Sequence, residues 1–162
     1  MAAHPDNSGR AHLQLDLEHF LPYRLSVLSN RVSRAIARAY SEQFDLGVTE
    51  WRVLAVLARF PALSAGEVAQ RTAMDKVAVS RAVARLLESG RLQRDTHGDD
   101  RRRSVLQLSE DGHRIVDAVA PLALGFESKL LDGMDATERE LLFRLLDRLD
   151  ELELQAEAEP PA

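Results

Sequence analysis

Three adjacent arginines, Arg101, Arg102 and Arg103, follow the acidic pair Asp99 and Asp100, and Lys76, Arg81 and Arg85 form a second cationic group upstream. A guanidinium presents a planar fork of donors that fits phosphate and the guanine edge, so this is the chemistry of anion and nucleic-acid recognition. Asp100 precedes Arg102 by two positions. On an extended segment both side chains share a face, and the carboxylate can hold the guanidinium through a charge-assisted hydrogen bond. Bond-making chemistry has no comparable set. Asp99/Asp100 and Glu110/Asp111 are neighbours in sequence, with no nucleophile elbow, Gly-rich phosphate loop or metal-spaced His/Asp set beside them. No catalytic residue is expected, and the chain does not read as an enzyme. Cysteine is absent, which removes thiolate catalysis, thiol redox sensing and Cys-type metal sites. His4, His12, His19, His97 and His113 are scattered, so neither a metal nor a cofactor is expected.

The chain has 162 residues, of which 45% are apolar, enough for one domain with a real core and appended helices. Its net charge of −5 argues against nucleic acid only until it is divided along the sequence. From Arg71 to Arg103 there are nine basic and five acidic residues, a charge of +4; the other 129 residues hold twelve basic and twenty-one acidic ones, a charge of −9. A basic module sits in an acidic body, which points to a localised anionic partner. Arginine supplies 19 of the 21 cations, a usage suited to bidentate phosphate contacts and also produced by GC-rich coding. The first ten residues have no apolar h-region, and the longest uncharged apolar run, Ala118 to Phe126, is far short of the roughly 20 residues a membrane helix needs. A cytoplasmic protein with no membrane contact is the expectation.

The elements that must position these cations are legible from spacing and caps. Residues 1–16 have no period and read as an arm, as does the acidic end EAEPPA. Leu25, Leu28, Val32, Ile36 and Ala39 predict one long helix from Pro22 to Phe44, with Gly47 as its stop. Thr49 is the expected cap of a second helix, which Pro61 ends. Ser64 and Glu67 form a capping box for a short third helix over Ala65 to Thr72. After the tight turn Ala73-Met74-Asp75, Asp75 caps a fourth helix running from Lys76 to Ser89, with Gly90 as its left-handed terminator. Helix, three-residue turn, helix is the helix-turn-helix layout, although the turn lacks the glycine often found there. On the fourth helix Val79, Val83, Leu86 and Leu87 face the core. Val77, Ala78, Arg81, Ala84, Arg85 and Glu88 face away, flanked by Lys76 and Ser80, a surface fit for a major groove.

Leu92 to Thr96 and Arg103 to Leu108 then alternate as two short strands joined by an arginine-rich tip, the hairpin of a winged helix-turn-helix. Such a tip lies beside the minor groove, where concentrated negative potential attracts arginine. Ser109 opens a fifth helix with an acidic first turn; Pro121 should kink it and Gly133 should end it. Asp135 and Glu138 form a second capping box. The sixth helix carries Leu141, Leu142, Leu145, Leu146, Leu149 and Leu152 along one side and needs a partner, either the first helix or a second copy of the chain.

Three stretches carry a resemblance: LGVTEWRVLAVLARFPALSAGEVAQRTAMD (46–75), VSRAVARLLESGRLQRD (79–95) and DRRRSVLQLSEDG (100–112). From about Tyr23 to Leu152 the chain resembles the multiple-antibiotic-resistance regulator (MarR) family of winged-helix repressors. The last stretch is the most specific, matching the family's pattern of Asp, any residue, Arg, a strand, a Leu-Ser/Thr step and a Gly. The resemblance implies a mainly α fold, formally α+β: a winged helix-turn-helix with long N- and C-terminal dimerisation helices. It divides the chain into an arm (1–16), an N-terminal dimerisation helix (17–47), a DNA-binding domain (48–108) and C-terminal dimerisation helices (109–156).

The same resemblance implies a homodimer held by the first, fifth and sixth helices, its recognition helices in successive major grooves of a pseudo-palindromic double-stranded operator. Val77, Ala78, Ser80 and Arg81 would point to the bases, with Lys76 at the helix start, and Asp100 with Arg102 would form the wing pair. Arg85, Arg101 and Arg103 are assigned to phosphates from their facing and charge. The resemblance also implies release of DNA when a small phenolic or aromatic carboxylate binds between helix dimer and winged domain, as is usual in the family. Tyr23, Ser26 and Asn30 of the first helix, Trp51 and Arg52 of the second, and Arg71 offer a polar, partly aromatic lining for such an effector. The expected function is therefore a ligand-responsive repressor. A helical protein-interaction module, or a DNA-binding regulator without an effector, is the alternative, and the Arg101–Arg103 run opposes the first of these.

Overall fold

The computed structural model describes residues 15–96 and 104–152. In order these form α1 (Leu21–Ala37), α2 (Ser41–Phe44), α3 (Val48–Arg59), α4 (Ala65–Thr72), α5 (Lys76–Glu88), β1 (Leu92–Thr96), β2 (Ser104–Leu108), α6 (Glu110–Leu131) and α7 (Ala136–Asp150). The result is a mainly helical winged helix-turn-helix with helices appended at both ends. Its core gathers Val53, Leu54 and Leu57 of α3, Val68 and Ala69 of α4, and Val79, Ala82, Val83 and Leu86 of α5. Leu92, Leu106 and Leu108 of the hairpin and Ile115 and Val119 of α6 close it. Each fully buried Val or Leu contributes about 1.5–3 kcal/mol relative to exposure, so packing fixes how α5 is presented. Leu87, expected on that stripe, is only half-buried, while Ala82 is fully buried.

The long first helix breaks. Helical bonding stops at Ala37, and Tyr40, at φ −130° and ψ −19°, turns its ring into the core against Trp51, with ring centroids 5.7 Å apart. Burying an aromatic ring outweighs the few backbone bonds that a continuous helix would have kept. Asp45, left-handed at φ 48°, takes the terminator role expected of Gly47. Gly47 is instead the N-cap of α3, where the sequence pointed to Thr49, and its N–H is accepted by the Glu50 carboxylate. Phe60, held extended by Pro61, ends α3 as predicted.

The local caps stand where the sequence places them. Ser64 Oγ accepts the Glu67 N–H at 3.3 Å while Glu67 Oε2 accepts the Ser64 N–H at 2.8 Å. Asp135 and Glu138 exchange the same pair of bonds, both 2.9 Å, ahead of α7. Gly90, at φ 73°, ends the α5 segment. β1 and β2 pair antiparallel, Leu92 opposite Leu108 and Thr96 opposite Ser104. A bridge that the sequence did not suggest ties the hairpin inward: the Leu106 N–H donates to Leu63 O, just ahead of α4, at 2.7 Å. At the hairpin base the Ser109 N–H donates to Arg91 O (3.1 Å) and its hydroxyl to Gly90 O (2.6 Å), so α6 leaves directly from the wing. α6 runs on through Pro121 and ends at Leu131, two residues before Gly133.

The leucines of the terminal helices stay outside. Leu21, Leu25 and Leu28 of α1 and Leu141, Leu145, Leu146 and Leu149 of α7 are exposed, with Leu142 half-buried. An open groove of about 660 Å³ lies between Leu21 at the start of α1 and Leu145, Leu149 and Leu152 at the end of α7.

Candidate nucleic-acid interface

The turn between α4 and α5 closes without glycine because Ala73 itself adopts a left-handed conformation, φ 50° and ψ 33°. Asp75 Oδ1 then accepts the Ala78 N–H at 2.9 Å and starts α5. With Val79, Ala82, Val83 and Leu86 buried, the opposite face is fixed in solvent. Lys76, Val77, Ser80, Arg81 and Arg85 are exposed there and Ala78 is half-buried. Val77 is a large apolar side chain left in water at the N-terminal end of this helix. Such a side chain can meet a thymine methyl group in a major groove.

The cations of the basic segment have different surroundings. Arg85 Nη1 lies 2.9 Å from Oε1 of Glu50, a carboxylate on α3 that is only 5% exposed, while the Arg85 side chain itself is 63% exposed. Arg91 donates to the carbonyls of Phe44 and Asp45, the second at 3.2 Å, and so pins the α2–α3 corner to the end of the α5 segment. Arg71 lies over the Phe60 ring, 4.0 Å from its centroid, a cation–π contact at the α3–α4 junction. Lys76 and Arg81 stand on the outward face of α5. Sequence reasoning did not find Glu50 or the anchoring role of Arg91. A Glu three residues after a capping Gly47 was the available signal for the first; its pairing with Arg85 is a product of tertiary packing.

The wing residues Asp100, Arg101, Arg102 and Arg103 lie outside the described residues. The residues expected around an effector have three different settings. Tyr23 lines an open groove with Leu17, Leu21, Leu25 and Leu28, on the exposed side of α1, and Ser26 and Asn30 are likewise exposed. Trp51 packs against Tyr40, and Arg52 reaches back to α1, where its Nη2 donates to Ser33 Oγ at 2.7 Å and approaches Ser29 Oγ at 3.5 Å. Arg71 is engaged by Phe60. Of the serines that face Arg52, Ser29 adjoins the predicted Asn30 and Ser33 lies three residues beyond it. Tyr40 is 1% exposed, its hydroxyl has no hydrogen-bond partner among the described residues, and burial pushes the phenol up to about 12. Among the described residues no helix is long and apolar enough to cross a membrane.

Residues 44–103, from the last residue of α2 to the residue before β2, match the model of the MarR family. The HTH-type transcriptional regulator BilQ of Clostridium symbiosum is 29% identical over 89 residues, which cover 55% of this chain and 62% of that regulator's length. A solved MarR/EmrR family transcriptional regulator from Acinetobacter sp. ADP1 superposes with a TM-score of 0.77 at 28% identity, covering 84% of this chain and 96% of that one. Bordetella bronchiseptica BpsR, whose DNA binding is regulated by 6-hydroxynicotinic acid, shares the fold at a TM-score of 0.74 and 21% identity, over 86% of this chain and 99% of its own. These relatives are regulators and not enzymes. The segment 44–103 thus matches the MarR family, and the chain as a whole shares the fold of solved MarR-family transcriptional regulators.

Proposed function

We propose that the protein is a sequence-specific, double-stranded-DNA-binding repressor, acting in the cytoplasm as a homodimer and released by a small aromatic or phenolic acid. The observation that carries the reading is the outward face of α5, where Val77, Ser80 and Arg81 are exposed above a core that leaves the helix no other orientation. In this reading α5 enters the major groove, with Lys76, Val77, Ala78, Ser80 and Arg81 at the bases and their flanking phosphates. Asp100 and Arg102 are assigned to the minor groove beside it, and Arg85, Arg101 and Arg103 to phosphates. Residues 48–108 are the DNA-binding domain. Residues 17–47 and 109–156 supply the dimer, because the leucines of α1 and α7 are exposed in the single chain and a second copy covers them at least cost.

Two-fold symmetry then places the recognition helices about 34–36 Å apart on a pseudo-palindromic operator. For the effector, Arg52 is the carboxylate partner and Trp51 the aromatic wall, where α1 meets α3; regulation of BpsR by an aromatic acid supports the class of ligand. The test is an anisotropy titration with duplexes tiled across the DNA upstream of the protein's own reading frame. One tile should bind two chains with high affinity, and Arg81→Ala or Arg102→Ala should weaken it by about 1–3 kcal/mol. Equal affinity for all tiles, unaffected by either substitution, would reject the reading. Thermal shift against a panel of aromatic acids tests the effector separately, and stabilisation by none of them would remove it.

A further inference from the structure

We propose that Glu50 is a positioning residue for DNA binding: from the buried side of α3 it holds the Arg85 guanidinium at the height of the phosphate rim. This rests on the reading of α5 as the recognition helix. Glu50 is 5% exposed, and both of its oxygens are used: one accepts the Gly47 N–H at the start of α3, and the other lies 2.9 Å from Arg85 Nη1. A buried carboxylate anchored on backbone is a fixed point, whereas an arginine on a helix surface samples many rotamers. The contact at Nη1 leaves the remaining guanidinium donors of a 63% exposed side chain facing solvent.

The place of Arg85 on α5 says what those donors meet. Nine residues separate it from Lys76, a rise of about 13 Å along the helix axis, comparable with the roughly 12 Å width of the major groove. With the N-terminal turn of α5 at the base edges, Arg85 stands at the sugar-phosphate wall. It shares the face of Arg81, four residues earlier. A guanidinium already oriented by Glu50 loses less rotamer freedom on meeting a phosphate than a free one does.

Phosphate contacts do not read sequence, so a duplex about 30 base pairs long of arbitrary sequence at low salt is a sufficient probe. Arg85→Ala and Glu50→Gln should each weaken binding about fivefold to tenfold and lower the slope of log affinity against log salt by about 0.9. Combined, they should weaken it no further than either alone, while Arg81→Ala should keep its full effect in the Glu50→Gln protein. A Glu50 that only supported the fold would change both arginines alike, so a reduced Arg81 effect contradicts the proposal. Multiplying losses, or a Glu50→Gln protein that binds as tightly as the parent, also overturn it. Should Glu50→Gln fail to fold, side-chain relaxation in the unaltered protein decides: Arg85 Nε–Hε should be more ordered than Arg81 Nε–Hε, and equal mobility overturns the proposal. If Arg85→Ala is silent but Arg81→Ala and Lys76→Ala weaken binding, only the role of Glu50 and Arg85 fails. If all three are silent, the assignment of α5 as the recognition helix fails as well.

Discussion

Gly112 lies in the first turn of α6 with ordinary helical backbone, and there two physical rules give opposite signs for one substitution. Helix propensity says that Gly112→Ala should stabilise by about 1 kcal/mol. Packing says the reverse: a Cβ at this position would sit 2.2 Å from the Arg91 carbonyl oxygen and 3.3 Å from Leu108 Cδ2. The first of these neighbours is backbone and cannot swing aside as a flexible side chain can. It also accepts the Ser109 N–H, one of the bonds that dock α6 onto the hairpin. Relief requires a separation of about 1 Å between α6 and the hairpin base. Overpacking of this kind costs about 1–3 kcal/mol, and the loss of the Ser109 bond adds about 1 kcal/mol. After the propensity gain the net destabilisation is about 1–3 kcal/mol, a fall in Tm of roughly 3–10 °C for a chain of this size. Urea unfolding of both proteins at one fixed protein concentration measures it. Equal or greater stability of Gly112→Ala would refute the packing argument.

The left-handed Ala73 in the helix-turn-helix turn costs about 1–2 kcal/mol relative to glycine, part of which the greater freedom of glycine in the unfolded chain cancels. Ala73→Gly should therefore raise stability by about 0.5–1 kcal/mol without changing DNA affinity, as read by thermal unfolding and titration. Tyr40→Phe removes a buried hydroxyl that has no partner among the described residues and should stabilise by about 1 kcal/mol at neutral pH. Its pH dependence has a definite sign. The unfolded chain releases the phenolic proton near the ordinary value of 10.0 and the folded chain near 12, so the parent loses stability as pH rises through that window and none below it. Unfolding at neutral and alkaline pH should show that this part of the loss disappears in Tyr40→Phe; an unchanged difference between the two pH values would reject the burial of that phenol.

What was legible in the sequence is what neighbouring residues decide among themselves. Ser64 with Glu67 and Asp135 with Glu138 form caps over three residues, Pro61 ends α3 through the residue before it, and Gly90 turns the chain out of α5. The outward face of α5 was legible too, because periodicity fixes which residues share a side. Where the structure departs, distant partners decide. α1 stops at Ala37 because Tyr40 packs on Trp51, which lies beyond a second helix. Arg85 and Arg91 both count toward the basic segment, yet one meets the buried Glu50 and the other the carbonyls of Phe44 and Asp45. Arg52 finds Ser29 and Ser33 on α1, a pairing that no local spacing announces. Net charge fails for a related reason: the sum of −5 conceals a segment of +4.

The central claim, that this protein meets duplex DNA through the face of α5 and the wing beside it, is tested most directly by the salt dependence of binding. Titrating a labelled duplex with the protein at several salt concentrations should give log affinity falling linearly with log salt, by roughly 0.9 for each phosphate neutralised. Lys76→Ala and Arg81→Ala should each reduce the slope by up to about one such contact. An affinity that does not change with salt, or slopes that neither substitution alters, would contradict the account.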